Sequence, residues 1–366
     1  MTPIRWFEPK FDKEDIEEVK KVIKNNYVNE GPKTKELEEL LKNYLRVKYV
    51  ILTINATAAL FLVIKSEATR KNIKDFEVIV PDMTMIATAT AVDWAGGKPV
   101  LVDVKKEDLT IDASKIENKI TSRTIAIIPV HVLGRSAEMN KIKEIAKKYN
   151  LLVIEDAAGA LGSSNNNKLL GTIGDVGCFS LQSNKIITSG QGGIIATNDD
   201  RLFEIMRRYR DFGRLTNKEF FHEAIGYNLK FNDLSAALAF SQFKKIEERK
   251  KLFLSQFNYY KRMLKEVNKI TFFPLEEGEI PLWIDVIAER RDELYEFLAH
   301  NQIYCRKCWP AIHRNKPFNS YGRDSDFPNS SFASDNVIWL PNGPAIKFKY
   351  IDLICNKIKE FYERWT

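Results

Sequence analysis

The sequence predicts an α/β protein with a large, mostly parallel-sheet domain and a smaller C-terminal α/β domain. Short apolar runs of strand length alternate with helical patterns from residue 77 to residue 156, which is typical of a parallel sheet covered by helices. The chain has 366 residues, enough for one large core and a second, smaller domain. We therefore expect residues 1–240 to form the large domain and residues 241–366 the small domain.

Helices precede the first strand of this alternation. Apolar residues recur with helical spacing over 12–26 and 33–45, and Gly31-Pro32 separates the two segments. A third helix is expected to begin near Thr57. The alternation then comprises strands at 77–81, 99–104, 124–130 and 151–156, with helices at 84–94 and 136–149.

Shorter elements follow. The turn-rich Asn165-Asn166-Asn167 predicts a hairpin over 163–171. A single long helix over 233–257 carries a charged run at 244–251, which we interpret as a solvated face or a connector between domains. The other elements are strands at 179–182 and 193–196 around a glycine-rich bend, a helix at 200–210, and a loop to about residue 231 that includes Phe212, Phe220, Phe221 and Tyr227.

Composition and charge narrow the class of protein. The net charge is +7, but basic and acidic residues are interspersed along the helices, which gives little support for nucleic-acid binding. The longest apolar runs, 78–80 and 125–130, are far too short to span a bilayer. The first ten residues lack the layout of a secretory signal. A cytoplasmic enzyme without a membrane or nucleic-acid partner is the simplest interpretation.

The four cysteines do not form a recognisable metal site. Cys305 and Cys308 make one CxxC motif, but no second pair or nearby histidine completes a ligand set. Cys178 and Cys355 lie in apolar segments and are interpreted as small buried hydrophobic residues. We expect no bound metal.

Three groups of residues that could take part in catalysis or ligand binding lie where strands or helices begin or end. Glu155-Asp156 closes an apolar strand, at the edge of a parallel sheet where ligands bind, although such a pair can also face water or cap a helix. Lys185 lies between a strand and a bend with three glycines, yet most lysines are solvated surface groups. The helix opening Asn55-Ala56-Thr57 offers free N–H groups to a phosphate, or it is an ordinary N-cap.

Together these features make a chemically complete set for pyridoxal 5′-phosphate (PLP). A PLP enzyme needs a lysine for covalent attachment, an acid against the pyridine nitrogen and a cradle for the phosphate. The acid keeps the ring protonated, so that the ring accepts electrons when a substrate C–H bond is broken. The released lysine then carries the proton between carbons.

The chain also resembles the DegT/DnrJ/EryC1/StrS family of PLP-dependent sugar aminotransferases, which has the aspartate-aminotransferase fold (fold type I). The resemblance runs nearly end to end and its motifs occur in order. They are Gly31-Pro32, the opening 55–60, the segments 81–88 (PDMTMIAT) and 129–134 (PVHVLG), Glu155-Asp156-Ala157-Ala158, the Lys185 segment, and Gly226-Tyr227-Asn228.

This resemblance implies roles for individual residues. Lys185 would form the Schiff base and Asp156 would pair with the pyridinium. Met85 would lie where the family stacks an aromatic ring on the cofactor. The phosphate would be held by Thr57, the N–H of Ala58, Ser180 and, from the partner subunit of a homodimer with shared active sites, Asn228. Near the substrates would lie His313, Arg306 and Lys230.

Several positions depart from the family pattern. Ala56 replaces a usual glycine, Gly159 a usual Gln, His or Glu, and Gln191 a common Glu. Lys230 replaces an arginine associated with the carboxylate of the amino donor, and a point charge does not reproduce a bidentate fork. Lys185 itself excludes the dehydratase branch of the family, which has histidine there.

The resemblance implies transamination of a nucleotide-linked keto sugar, with an amino acid, glutamate, as donor. The segment 221–228 (FHEAIGYN) most resembles enzymes acting on 4-keto-6-deoxy sugars, such as perosamine synthases. Two alternatives stay open at this point. One is an aminotransferase for a keto-cyclitol or another small keto compound, and the other is a PLP-binding protein without turnover.

Overall fold

The computed structural model describes residues 3–214 and 221–364. Thirteen strands are distributed over a central sheet, a hairpin and a C-terminal sheet in these ranges. They are β1 (Tyr49–Thr53), β2 (Glu77–Pro81), β3 (Lys98–Val102), β4 (Thr124–Ile127), β5 (Leu152–Asp156), β6 (Ser164–Asn165), β7 (Lys168–Leu169), β8 (Val176–Ser180), β9 (Gly193–Thr197), β10 (Ile270–Phe272), β11 (Ile284–Ala288), β12 (Arg306–Lys307) and β13 (Val337–Leu340).

Helices pack on both sheets. The α-helices of the described ranges are α1 (Lys13–Lys24), α2 (Pro32–Leu45), α3 (Ala56–Arg70), α4 (Ala87–Trp94), α5 (Met139–Tyr149), α6 (Asp200–Arg210), α7 (Asp233–Phe243), α8 (Ile246–Met263), α9 (Arg291–His300), α10 (Pro328–Asn336) and α11 (Phe348–Glu363).

The central sheet has seven strands in the order β1-β9-β8-β5-β4-β2-β3. Only β9 runs against its neighbours, so the predicted mostly parallel sheet is confirmed. Cys178 and Ile195 face α3 on one side, whereas Phe179 and Ile194 face α2 and α7 on the other. Both faces are therefore buried, which explains the continuous apolar runs of these strands. The carboxyl ends of β1, β2, β5 and β8 share one edge of the sheet.

The small domain contains a four-stranded sheet in the order β10-β11-β13-β12. Every pairing in it is antiparallel. Its apolar face packs with side chains of α8, α9 and α11, including Tyr260, Leu298 and Ile354. The small domain thus combines helices with a sheet, as predicted.

The prediction of a single helix over 233–257 is wrong, because Lys244 and Lys245 interrupt the helix between α7 and α8. The N-terminal segment binds at this break. Lys245 Nζ lies 3.1 Å from Asp15 Oδ1, and the buried Arg249 donates to Lys10 O at 3.0 Å. The interpretation of the charged run as a solvated face is therefore wrong for Arg249. The division of the chain into domains at residue 240 stays a prediction.

The segment before β11 fastens the small domain to the large one. Arg135 donates from both terminal nitrogens to Asp285, at 2.9 and 2.6 Å, and both side chains are buried. Gly134 has a φ of +99°, and a Cβ there would lie 1.9 Å from Ile280 O, so no other residue fits. These contacts place the beginning of β11 directly above the shared edge of the central sheet.

Within residues 3–214 and 221–364, no helix is both long and apolar enough to cross a bilayer. Over the same residues, no group of three or more His, Cys, Asp and Glu side chains is arranged to hold a metal. All four cysteines are free and buried.

Candidate active site

Asp156 ends β5 at the shared edge of the sheet, and its side chain is buried. Its Oδ2 accepts a hydrogen bond from Thr88 Oγ1 at 2.8 Å, and its Oδ1 accepts from the N–H of Ala158 at 3.1 Å. Burial raises the pKa of Asp156, whereas these two donors and the nearby charge of Lys185 act in the opposite direction. The carboxylate is thus shielded from water and held on both oxygens.

Glu155, the other member of the acidic pair, has a structural task. It is fully buried and accepts hydrogen bonds from the N–H groups of Gly171, Ile173 and Gly174, at 2.8, 2.6 and 2.6 Å. His131 Nε2 lies 2.7 Å from Glu155 Oε2, while His131 Nδ1 accepts from the N–H of Ala137. With Nδ1 as an acceptor, His131 Nε2 is placed to donate to Glu155.

Lys185 lies in the bend between β8 and β9, close enough to Asp156 for the two charges to interact. Its Nζ is 5.3 Å from the ring centroid of Trp283, and Trp283 Nε1 donates to the adjacent Asn184 O at 3.0 Å. Although the side chain keeps some access to solvent, its surroundings desolvate the amine and lower the pKa of Lys185 to about 8. An amine with this pKa is a far better nucleophile at neutral pH than a surface lysine.

The start of α3 lies beside the start of β9, where Gly193 pairs with Thr53 and approaches Asn55. Asn55 is the N-cap, and its Oδ1 accepts from the N–H of Ala58 at 2.8 Å. The N–H predicted to hold phosphate at Ala58 is therefore engaged by the cap. The amides of Ala56 and Thr57 precede the first hydrogen bond of the helix, from Ala59 to Asn55. A helix start of this kind attracts an anion through its dipole and its amides.

Two further predicted cofactor residues occupy the same edge. Ser180 ends β8 and is buried, and its Oγ accepts from the N–H of Gln182 at 3.3 Å. Met85 is 48% exposed just before α4. The predicted helix 84–94 thus begins three residues late, at Ala87, whose N–H donates to Met85 Sδ at 3.2 Å. This turn leaves Met85 outside the helix.

The residues of this edge fit PLP. A partly accessible lysine amine and a buried carboxylate face one another, and a helix start and a serine lie at the ends of neighbouring elements. Asn184 Oδ1 is also buried without a partner beside Lys185. When bound, PLP supplies an electron sink for carbanion chemistry at the substrate.

Asn228 and Lys230 lie close to this edge but are differently placed. Asn228 is exposed and forms an isolated bridge with Asp211. Lys230 forms a bridge with Thr53 at the end of β1, and its Nζ lies 2.6 Å from Asp211 Oδ1 and 4.3 Å from the ring centroid of Phe212. The positive charge of Lys230 is therefore balanced within the chain. Phe220, predicted in this loop, lies outside the described residues.

His313 is buried rather than open. Its Nδ1 lies 2.7 Å from Asp82 Oδ2, and its Nε2 lies 2.8 Å from Asp324 Oδ1. Asp82 follows β2, so His313 ties the C-terminal segment to the shared edge of the sheet. Both ring nitrogens already have carboxylate partners.

Arg306 lies elsewhere. It is exposed on β12, and its guanidinium carbon is 4.7 Å from the ring centroid of Trp6. Trp6 packs edge-on against Trp283 at 4.8 Å, and Trp283 in turn covers Lys185. The rings of Trp6 and Trp283 therefore lie between Arg306 and Lys185, which are not in contact. It lines an open cavity of about 680 Å³ with Arg5, Tyr295, Tyr304 and Lys307.

The positions that depart from the family pattern are accommodated locally. A Cβ at Gly159 would contact Leu282 at 3.4 Å, an ordinary distance, so neither sterics nor a positive φ requires glycine there. Gln191 contributes its backbone, accepting from Ser189 Oγ at 2.6 Å. Ala56 is the first residue of α3.

Sequence reasoning missed two residues of the site. Thr88 contacts Asp156, and Trp283 contacts the Lys185 segment. The sequence pointed to Thr88 only through its place in the family motif at 81–88. No sequence motif pointed to Trp283, because its hydrogen-bond partner Asn184 is 99 positions away in the chain.

The fold and the site define a PLP-dependent enzyme of fold type I. The model of the DegT/DnrJ/EryC1/StrS aminotransferase family matches residues 9–359. The chain therefore belongs to this family of PLP-dependent sugar aminotransferases.

Named relatives cover nearly the whole chain. GDP-perosamine synthase of Escherichia coli O157:H7 is 30% identical over 373 residues, with 99% of each protein covered. The dTDP-3-amino-3,6-dideoxy-alpha-D-galactopyranose transaminase of Aneurinibacillus thermoaerophilus is 31% identical, with 98% of each covered. The structure of Helicobacter pylori PseC, an aminotransferase involved in the biosynthesis of pseudoaminic acid, superposes with a TM-score of 0.93 at 25% identity, covering 99% of this chain and 100% of that one.

Proposed function

We propose that this enzyme transfers an amino group from an amino acid, glutamate, to the keto carbon of a nucleotide-linked 4-keto-6-deoxyhexose. The observation that carries the proposal is the pairing of Lys185 with the buried Asp156 in a chain whose relatives include GDP-perosamine synthase. Two relatives are named for reactions on GDP-linked and dTDP-linked sugars, which supports a nucleotide sugar as the class of substrate.

The residues of the sheet edge divide the work. Lys185 would hold PLP covalently and, once free, its amine would move the proton at the reacting carbon. Asp156 holds the proton on the pyridine nitrogen. Met85 would cover one face of the ring, and Thr57, Ser180 and the helix start at Ala58 would hold the phosphate, with Asn55 releasing the N–H of Ala58.

Three residues are proposed to act on the substrates. Arg306 offers an exposed guanidinium at the cavity beside Trp6, where a phosphate or carboxylate is recognised by its charge. His313 orders the C-terminal segment next to the sugar, since both its ring nitrogens are engaged. Lys230 lies near the donor carboxylate, with its charge moderated by Asp211.

We further propose a cytoplasmic homodimer in which Asn228 completes the partner's phosphate site. Exposed apolar side chains support it, because Ile225 is 91% exposed, Phe221 51% and Phe212 42% in the single chain. Ile54, 40% exposed, adjoins the N-cap of α3. Apolar groups gathered beside a binding edge are typical of a protein interface.

Borohydride trapping tests the cofactor assignment. The purified protein mixed with PLP should become yellow, and reduction should fix the cofactor to the chain. Lys185→Ala should abolish the trapping, whereas Lys147→Ala, at an exposed lysine on α5, should not. Trapping that persists in Lys185→Ala would contradict the role of this lysine.

Turnover tests the substrate class. With glutamate as donor, formation of 2-oxoglutarate is measured with GDP-linked and dTDP-linked 4-keto-6-deoxyhexoses and with a keto-cyclitol. We expect turnover with at least one nucleotide sugar and none with the cyclitol. The opposite selectivity would refute the proposed substrate while leaving the trapping result valid.

A further inference from the structure

Thr88 is the second residue of α4, so its hydroxyl has no preceding turn of its own helix to bond. A threonine hydroxyl further along a helix commonly bonds the carbonyl one turn back. Thr90, two residues later in α4, does so, donating to Ile86 O at 3.0 Å, and Thr69 in α3 donates to Lys65 O at 2.9 Å. Thr88 instead donates across the fold to Asp156 Oδ2 at 2.8 Å, and it is completely buried.

This bond gives Asp156 a second, independent anchor. The N–H of Ala158 belongs to the turn that follows the carboxylate, so it restrains Oδ1 from within the same segment. Thr88 approaches Oδ2 from a different element. With both oxygens held, the carboxylate does not rotate freely about its Cβ–Cγ bond. Each oxygen still has a second acceptor site for a ring N–H.

The donor also decides which form of the acid occupies the site. Burial favours the neutral acid, and a neutral acid cannot keep a proton on the pyridine nitrogen. A hydroxyl that donates to the carboxylate favours the ionised form. Among the groups around Asp156, Lys185 favours the same form through the charge of its ammonium group, and that ammonium group would be consumed on attachment to PLP. Thr88 and the amide of Ala158 do not change in this way.

We propose that Thr88 is a positioning residue for the reaction, acting through Asp156 to keep the pyridine nitrogen protonated. The inference rests on the proposed pairing of Asp156 with that nitrogen. Thr88 itself touches neither cofactor nor substrate in this role, and its contribution is the orientation and ionisation of the carboxylate.

The test compares Thr88→Val, which keeps the shape but removes the hydroxyl, with Thr88→Ser, which keeps the hydroxyl. Thr90→Val is the matched control, since its hydroxyl serves its own helix. Each protein is loaded with PLP labelled with ¹⁵N in the ring, and the ¹⁵N chemical shift reports whether the nitrogen carries a proton. The half-reaction rate with glutamate is measured on the same samples.

We expect Thr88→Val to lose ring protonation in part and to slow the half-reaction on the order of tenfold, as expected for a lost hydrogen bond to a charged group. Thr88→Ser and Thr90→Val should match the wild type. A wild-type ¹⁵N shift and rate in Thr88→Val would overturn the inference. Thr88→Ala answers the same question if the valine variant does not fold.

Asp156→Asn separates this inference from the proposal beneath it. If Asp156→Asn leaves the nitrogen protonated, the proposed pairing itself is wrong. If Asp156→Asn removes the proton and Thr88→Val does not, the pairing stands and only the role of Thr88 is wrong.

Discussion

At the scale of single residues, the adjacent carboxylates Glu155 and Asp156 show how position decides chemistry. Successive side chains of a strand point to opposite faces of the sheet. Glu155 meets three backbone N–H groups and a histidine, while Asp156 meets Thr88 and Lys185. The sequence could predict that the pair ends a strand at a ligand-binding edge. It could not identify Thr88, because that contact joins side chains 68 positions apart.

The amine of Lys185 leads to a prediction about pH. Its pKa of about 8 lies well below that of an ordinary lysine, so a larger unprotonated fraction is available at neutral pH. Capture of PLP by the cofactor-free protein should therefore accelerate about tenfold per pH unit below pH 8 and then level off. The visible absorbance after rapid mixing measures this rate, with N-acetyl-lysine amide as the control for titration of PLP itself. A rate that keeps rising to about pH 10 would contradict the lowered pKa.

At the scale of elements, local patterns predicted what local physics controls. The strand at 77–81 and the helix at 200–210 were predicted with the bounds that the structure has. The helix over 233–257 was not, because no glycine or proline marks the break at Lys244 and Lys245. The break coincides with contacts from the N-terminal segment, which no local pattern contains. The antiparallel order of the small sheet was likewise outside the reach of strand periodicity.

A helix cap supplied from another element gives the second prediction. The N-cap of α2 is Gly31, which has no side chain, and Asp233 of α7 replaces it. The buried carboxylate accepts from the N–H groups of Gly31, Lys33 and Thr34 at 2.9, 3.0 and 2.9 Å, and from Thr34 Oγ1 at 2.6 Å. Asp233→Ala should lower the free energy of unfolding by about 3 kcal/mol, because buried amides lose their acceptor.

Urea denaturation measures this loss. Asp233→Asn keeps one acceptor oxygen and should fall between the wild type and Asp233→Ala. Asp75→Ala is the control, since Asp75 is largely exposed and pairs with Arg123 at the surface. Equal midpoints for Asp233→Ala and Asp75→Ala would show that α2 does not depend on this cap.

At the scale of the whole molecule, the proposed dimer can be tested by combining two inactive variants. The exposed Asn228 lies on a loop that also exposes Phe221 and Ile225. If Asn228 serves the partner's site, Lys185→Ala and Asn228→Asp protomers should complement each other. In a mixed dimer, one site then carries both defects and the other carries neither.

The expected recovery is up to about half of wild-type activity per mixed dimer, as two-fold symmetry requires. Asn228→Asp alone should bind PLP poorly, because its carboxylate repels the phosphate. Subunit exchange is confirmed with differently tagged protomers. No recovery after confirmed exchange would leave each site confined to one chain.

The cap that Asp233 provides also constrains the order in which the chain can fold as it is made. The amide of Gly31 and the carboxylate that it needs are 202 positions apart. At about 5–20 residues per second, a ribosome takes roughly 10–40 s to supply the second after the first. β1 waits in the same way for β9, its antiparallel neighbour. The amino-terminal helices and β1 therefore leave the exit tunnel without their partners, and the surfaces that these partners cover stay exposed until β9 and Asp233 have been synthesised.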